Sequence, residues 1–551
     1  MNIESFIKIF LFDLKNQDKN CINEINENKN MIKLYLSENG NPKVINSFIE
    51  RFNNIVLIQN DTNDFKLIKK VLTHKSFTYI YSLFKNSNIL IQACKINNLN
   101  AINWLLTMKI NLEVQDTDGM TALMYASQQP EQLFVINYYL DNTDKKCLNL
   151  TNNDGNNALF FSINNENAFK ELLKSKIDVN HINKRNESIF LYCCKNKAYN
   201  ILSYLFDKKS VDVNIVDIEG KTAAMYLAEN GRNLEIRELS QKKFCNFNYK
   251  NKNNESVLSV VLKNMYKPEN VKDSFRVCCY GNIINTLIYI GCDFNTQIDE
   301  DGNTPLMVLM YVQDTITLEY IIKYGKNLDL SIKNKYGENA SSLFFKCINK
   351  DTIYNILIKN PTFDLEYHDP NNNNTMLMIG SIIQPSLIDV VLENNINLVN
   401  NVNMKNENAL IIAVKCNNIY SLEKLLKYKI NVNQQDYLGC TALHYAIEIR
   451  NYDVIQLLIF NNADISIRDN FGKTPIDYAN ELNDKIALKL LNNKNGENKN
   501  IDQNENINAL MKYRKEIDEY LYPCIHDNYS EFKMSDNLAK TLKDTYENNV
   551  Q

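Results

Sequence analysis

Leu438-Gly439-Cys440-Thr441-Ala442-Leu443 and Phe471-Gly472-Lys473-Thr474-Pro475-Ile476 are two copies of one short phrase. Asp118-Gly119-Met120-Thr121-Ala122-Leu123 and Asp301-Gly302-Asn303-Thr304-Pro305-Leu306 are two more. With the glycine as marker, weaker copies fill the intervals. The marker falls at Asn86, Gly119, Gly155, Asn186, Gly220, Asn254, Gly302, Gly337, Asn373, Asn406, Gly439 and Gly472. Successive spacings are 33, 36, 31, 34, 34, 48, 35, 36, 33, 33 and 33 residues. The chain is therefore a repeat array with one long unit.

The marker column has a physical logic. Gly adopts a positive φ without steric cost, and Asn is among the next most tolerant residues. A tight turn at each marker explains both choices. Two residues on stands a Thr, Ser or Asn in every copy, a side chain able to cap a helix N-terminus. Pro305 and Pro475 follow at the first helical position, where a missing N–H costs nothing. Four residues beyond the marker most copies carry a large apolar residue, such as Leu90, Leu123, Phe190, Leu377 or Leu443.

Each unit then reads as a short helix, a turn, a second helix and an extended return. In one unit these are Ala122 to Ser127 and Phe134 to Leu140; in another, Ala442 to Ile449 and Asp453 to Phe460. The second helices carry adjacent apolar pairs, Leu105-Leu106, Leu172-Leu173, Leu425-Leu426 and Leu457-Leu458. A unit of about 33 residues cannot bury enough apolar surface to offset its chain entropy, whereas stacked neighbours can. The expected fold is an all-α repeat solenoid.

Gly439-Cys440-Thr441-Ala442-Leu443-His444-Tyr445-Ala446 resembles the core of the ankyrin repeat family. Asp178-Val179-Asn180 and Asp212-Val213-Asn214 match that family's return segment, and Asn431-Val432-Asn433 nearly does. The resemblance covers about residues 86 to 492. Asn often replaces Gly, Pro is frequently lost, and only His444 keeps the family's histidine. The resemblance implies an ankyrin-like stack of helix-turn-helix units with short β-turn or hairpin loops, and a protein partner. It also implies possible targets of asparagine hydroxylation in the return segments, at Asn180 or Asn214.

Around the array, residues 1–85 read as helical, with Phe48, Phe52, Leu57, Leu67-Ile68 and Val71-Leu72 suggesting amphipathic segments. Asn54-Ile55-Val56-Leu57-Ile58 looks like Asn88-Ile89-Leu90-Ile91 one period later, so degenerate capping repeats are expected there. Lys15 to Lys33 reads as a loose polar linker. The long unit carries about 14 extra residues near 264–277, expected as a surface loop. Residues 493–506 read as a disordered linker, and 507–551 as a helical tail broken by Pro523.

Among 551 residues, 61 Lys and Arg face 65 Asp and Glu, for a net charge of −4. That balance does not suit a bulk phosphate binder. No apolar run approaches the ~20 residues of a membrane span, and the stretch from Phe6 to Phe12 makes a poor signal peptide. Asn is extreme, at about 90 residues, and the abundant residues are those with AT-rich codons, which reads as genome bias. Thirteen Cys show no C-x-x-C spacing, as expected of reduced thiols in a cytoplasmic or nuclear protein. The five His fall in different units, and His444 is expected to bond neighbouring backbone. Asp116, Asp118, Asp299 and Asp301 are expected to satisfy local turn groups, and Trp104 to fill core. No phosphate-binding, zinc-hydrolase or nucleophile motif occurs.

The sequence points to no catalytic residue, cofactor or metal. It points to a protein-binding scaffold, with no nucleic acid and no membrane as partner. The alternative is an adaptor that captures a target with its repeats and recruits machinery, such as a ubiquitin ligase, through a terminal helical region. Candidate contact residues flank the markers, where packing is expected to leave identity free. They are Thr117, Asp118, Met120, Gln128 and Gln129 in one unit. In the last two units they are Tyr437, Leu438 and Cys440, then Asn470, Phe471 and Lys473. Exposed aromatic side chains tend to dominate interface energies.

Overall fold

The computed structural model describes residues 2–58, 65–242, 244–347, 353 and 357–492. The expected linker at 493–506 and tail at 507–551 lie outside these. The helix pairs fall where the period places them. Ala122–Gln128 is followed by Leu133–Asn142, and Ala442–Glu448 by Tyr452–Phe460. Between them come pairs such as Ile189–Lys195 with Tyr199–Phe206, and Ala409–Lys415 with Ile419–Lys427. First helices are buried on nearly all sides: Leu410, Ile411, Ala413 and Val414 are fully covered. Second helices bury one stripe, as Leu422 and Leu425 show. That asymmetry is what a helix sandwiched between neighbouring units requires.

Among the described residues, the only β structure recorded is a pair of isolated bridges, Val216 with Thr222 and His368 with Thr375. The chain forms two compact units. One comprises the chain to Leu227 with Gln241–Asn246; the other comprises Ala228–Ser240 with the chain from Phe247 onward.

In the first unit, Ile3–Lys15 and Pro42–Ile58 meet through phenylalanines. Phe6, Phe10, Phe48, Phe52, Phe77 and Phe84 are completely buried. Phe10 lies 6.0 Å from Phe48 and 5.5 Å from Phe77, ring centre to ring centre, and Phe52 lies 5.8 Å from Phe84. Trp104 is half-buried and stacks on Phe65 at 4.7 Å. The stretch from Lys15 to Lys33 is not a loose linker: it holds the helices Asn20–Glu27 and Lys29–Tyr35. Cys21, Ile25 and Ile32 recur at spacings of four and seven, and all three are buried. This single apolar stripe is hidden in the sequence by the surrounding Asn, Lys and Glu.

In the second unit, the extra residues near 264–277 are not a slack loop. They form the short helix Pro268–Val271 and lengthen the following helix to Ser274–Tyr289. The Asp273 carboxylate caps that helix, accepting from the Phe275 and Arg276 N–H groups at 3.0 and 3.3 Å. Asn270 is buried; its amide donates to the Asn264 carbonyl (2.7 Å) and its oxygen accepts from Arg276 (2.7 Å).

Candidate partner-binding surface

Eleven of the twelve markers sit in the left-handed region, with φ from +58° to +81°. Asn86 does not. It closes the helix Thr78–Lys85 at φ −97°, so the pair Ile89–Lys95 and Leu99–Thr107 has no left-handed turn at its entrance. Asn88 correspondingly makes no side-chain cap bond. Elsewhere the cap column acts as read. The Thr121 hydroxyl accepts from the Met124 N–H (3.3 Å), Ser188 from Leu191 (3.3 Å) and Asn408 from Ile411 (3.1 Å).

A second column, three residues before most markers, locks the turn. One carboxylate oxygen of Asp116 accepts from the N–H groups of Asp118 (3.0 Å) and Met120 (2.8 Å). Asn152, Asn183, Asp217, Asn334, Asn403, Asp436 and Asp469 do the same in their own units. Turn tips are then tied to one another by backbone. The Asn153 N–H donates to the Asp118 carbonyl, Lys184 to Asp154 and Ile218 to Arg185 in the first unit. In the second, Lys335 donates to Asp301, Tyr437 to Lys405 and Asn470 to Leu438, within 2.9 Å. Successive tips are thus held in fixed register.

The residue just after the marker behaves differently. Met120 and Cys440 are buried at 7% and 4% exposure, so the expectation that packing leaves them free fails. That position faces the following unit, and the Cys440 sulfur lies 3.5 Å from the Tyr478 hydroxyl. At three of the four markers followed by Glu, an ion relay forms across to the next unit. Glu187 takes the ammonium of Lys195 (2.8 Å), which also reaches Asp217 of the following unit (3.6 Å). Glu338 takes Lys346 (3.0 Å), which reaches Asp369 (2.7 Å). Glu407 takes Lys415, which lies 3.9 Å from Asp436. Burial opposes the charge on Lys346, but the two carboxylates outweigh it and hold its pKa above the ordinary lysine value. His444 is fully buried. Its Nδ1 accepts from the Thr441 N–H (3.1 Å), and Nε2 donates to the Lys473 carbonyl (3.3 Å). Burial lowers its pKa, favouring the neutral ring.

The remaining candidates sort by position. Thr117, Asp118 and Gln128 are exposed, and Gln129 is half-buried. Tyr437 is 57% and Phe471 76% exposed, on consecutive tips, with Leu438 half-buried between them. Asn470 is engaged: its amide donates to the Tyr437 carbonyl (2.9 Å). Lys473 is half-buried and paired with Glu481 at 2.7 Å. Tyr437 and Phe471 thus stand exposed on consecutive tips, while Met120 and Cys440 are buried. The sequence reading missed Met404, 66% exposed on the tip before Tyr437, and Ile218, 62% exposed in the first unit. The available signal was an apolar side chain two residues before a marker, where the turn turns it outward. Among the described residues, no group of three or more His, Cys, Asp or Glu is placed to hold a metal.

A family model described as ankyrin repeats, in three copies, matches residues 55–149, 131–217, 376–469 and 436–505. The same locked turn recurs between those matches, at Gly220, Asn254, Gly302 and Gly337. No curated protein matches the chain. With more than half of its length matched and the turn geometry repeated throughout, this chain belongs to the ankyrin repeat family.

Proposed function

We propose that this protein is a non-catalytic scaffold that binds a protein partner on the face built from its turn tips and first helices. Ankyrin repeats are generally protein–protein interaction modules. The observation that carries the reading is the run of Met404, Tyr437 and Phe471, exposed on three consecutive tips whose backbones are bonded to one another. An apolar side chain held out on a rigid tip loses little entropy when it is covered. No nucleic acid or membrane is part of this reading, and among the described residues no helix is long and apolar enough to cross a membrane. Replacing Tyr437 and Phe471 together by alanine is expected to weaken partner binding by about 2 kcal/mol or more, the scale of interface hot spots. Titration of the purified partner against both forms measures this, and equal affinities would refute it.

The adaptor reading has one observation in its favour. In the N-terminal helices, Ile9, Phe12 and Ile58 are exposed beside Lys8, Lys15 and Arg51, around a groove that, among the described residues, no acidic side chain lines. A second partner seated there would be lost in Phe12→Glu while the first is kept. Loss of both, or of neither, in a co-purification would count against it.

A further inference from the structure

Among the described residues, the unit of Gly472 is less covered than its sisters. Four residues past their markers, Leu306, Leu377, Leu410 and Leu443 are buried, whereas Ile476 is half-buried. Sixteen residues past, Ile236, Leu318, Leu422 and Ile455 are completely buried, whereas Leu488 is half-buried. The turn shows the same opening. A side chain at Gly119, Gly155 or Gly439 would start within 2.9 Å of the tip that follows, while one at Gly472 would meet no described atom within 4 Å. In a stack of repeats these are the places that the next unit fills. The sequence carries a cover at the right distance. Asn506 lies 34 residues past Gly472. Asn506-Ile507-Asn508-Ala509-Leu510 runs on to Lys515 as Asn406-Glu407-Asn408-Ala409-Leu410 runs on to Lys415. Marker, helix cap, small residue, large apolar residue and lysine all keep their places. The lysine nine past the marker recurs at Lys95, Lys195, Lys263 and Lys346. The family match also continues to residue 505. The pattern then stops, because Pro523 falls inside the stretch where a second helix would run.

We propose that residues 503–515 supply a thirteenth turn and first helix, which dock on the open side of the Gly472 unit and close the array with half a repeat. The interior units set the register. The N–H two residues before a marker donates to the carbonyl one residue before the previous marker: Met404 to Asn372, Tyr437 to Lys405 and Asn470 to Leu438. The next pair in that series is Asn504 with the Phe471 carbonyl. The residue seven past a marker abuts the one eight past the previous marker, as Gly380 abuts Phe345, where a Cβ would lie at 3.8 Å. That column sets Tyr513 opposite Asn480. The face is partly polar, which suits a light cover rather than a full unit. Asp477 and Asn480 stand where Ile411 and Val414, then His444 and Ile447, are buried. The Asp477 carboxylate turns back to accept from the Thr474 N–H and hydroxyl (2.8 and 2.7 Å). Asn480 is exposed and offers its amide to a phenol. Lys512, Arg514 and Lys515 bring positive charge to a side that carries Asp477 and Glu481. The cover leaves Phe471 on an interior tip, extends the row of tips to Asn504, and withdraws 503–515 from any recruiting role. The tether from Asn492 is short, so docking within the chain outcompetes a second copy at ordinary concentrations.

Hydrogen exchange of the intact chain tests this. Amides of 509–515 are expected to exchange about tenfold or more slowly than in a free peptide of the same sequence. Leu510→Glu should abolish that protection and speed exchange in Pro475–Glu481 by a similar factor, while Ala409–Lys415 keeps its rate. Register is read separately. Asn480→Cys combined with Tyr513→Cys is expected to close a disulfide within one chain under mild oxidation, identified by peptide mapping. Free-peptide rates throughout 509–515, unchanged exchange of Pro475–Glu481 in Leu510→Glu, or a disulfide formed only between two chains would each overturn the proposal. The scaffold reading stands on the exposed tips and survives any of these results.

Discussion

Replacing Lys346 by methionine is expected to destabilise the repeats around it by about 3–5 kcal/mol, the cost of removing one partner from a buried ion cluster. The Lys346 side chain is 2% exposed, and its ammonium stands between Glu338 and Asp369 at 3.0 and 2.7 Å. Glu338 also accepts from the Tyr311 hydroxyl at 2.6 Å. Methionine keeps most of the volume but leaves two carboxylates facing each other across a dry interface. Neutralising them as well, with Glu338→Gln and Asp369→Asn, should recover much of the loss, because the penalty is that of stranded charge rather than lost packing. Because the native lysine pKa is raised, its contribution is present below the ordinary lysine pKa and fades as the pH climbs through the native value. Hydrogen exchange of Ala340–Cys347 and Met376–Ile383 in urea measures the change. A loss under about 1 kcal/mol would place this cluster among those that contribute little net stability.

Phe48→Ala should have a comparable effect in the other unit, about 3–5 kcal/mol for a large aromatic deleted from a closed core. Phe48 lies within 6.0 Å, ring centre to ring centre, of Phe10, Phe52 and Phe77, and none of these rings is exposed to solvent. The damage should be local. In a row of units each leaning on its neighbours, destabilisation spreads only as far as the coupling between units carries it. Exchange protection should fall in Ile3–Lys15 and Pro42–Ile58, and persist in Ala442–Glu448. Uniform loss of protection across the whole chain would contradict this picture.

How much of this was legible in the sequence depended on whether a residue answers to its own unit or to the next. The marker column answers to its own turn, where Gly and Asn take a positive φ at least cost, and it was readable. Asn86 shows the limit: the same residue closes a helix as readily as it makes a left-handed turn, and the period alone does not distinguish them. The carboxylates of Asp116 and Asp299 were read as local turn partners, and both accept turn N–H groups. Met120 and Cys440 were misread because their burial is made by the following unit. The relay from Glu338 through Lys346 to Asp369 was invisible for the same reason, being spread over 31 positions of sequence. The helices Asn20–Glu27 and Lys29–Tyr35 were missed because only Cys21, Ile25 and Ile32 mark their buried side.

A photoreactive phenylalanine analogue, placed by turns at Phe471 and at Phe460 of the intact chain, puts the partner-binding face to the most direct test. Both positions are strongly exposed, Phe471 on a turn tip and Phe460 at the end of a second helix, at 76% and 85%. The account predicts a discrete protein adduct from Phe471, lost when Tyr437 is replaced by alanine, and none from Phe460. Adducts from Phe460 with none from Phe471 would contradict it.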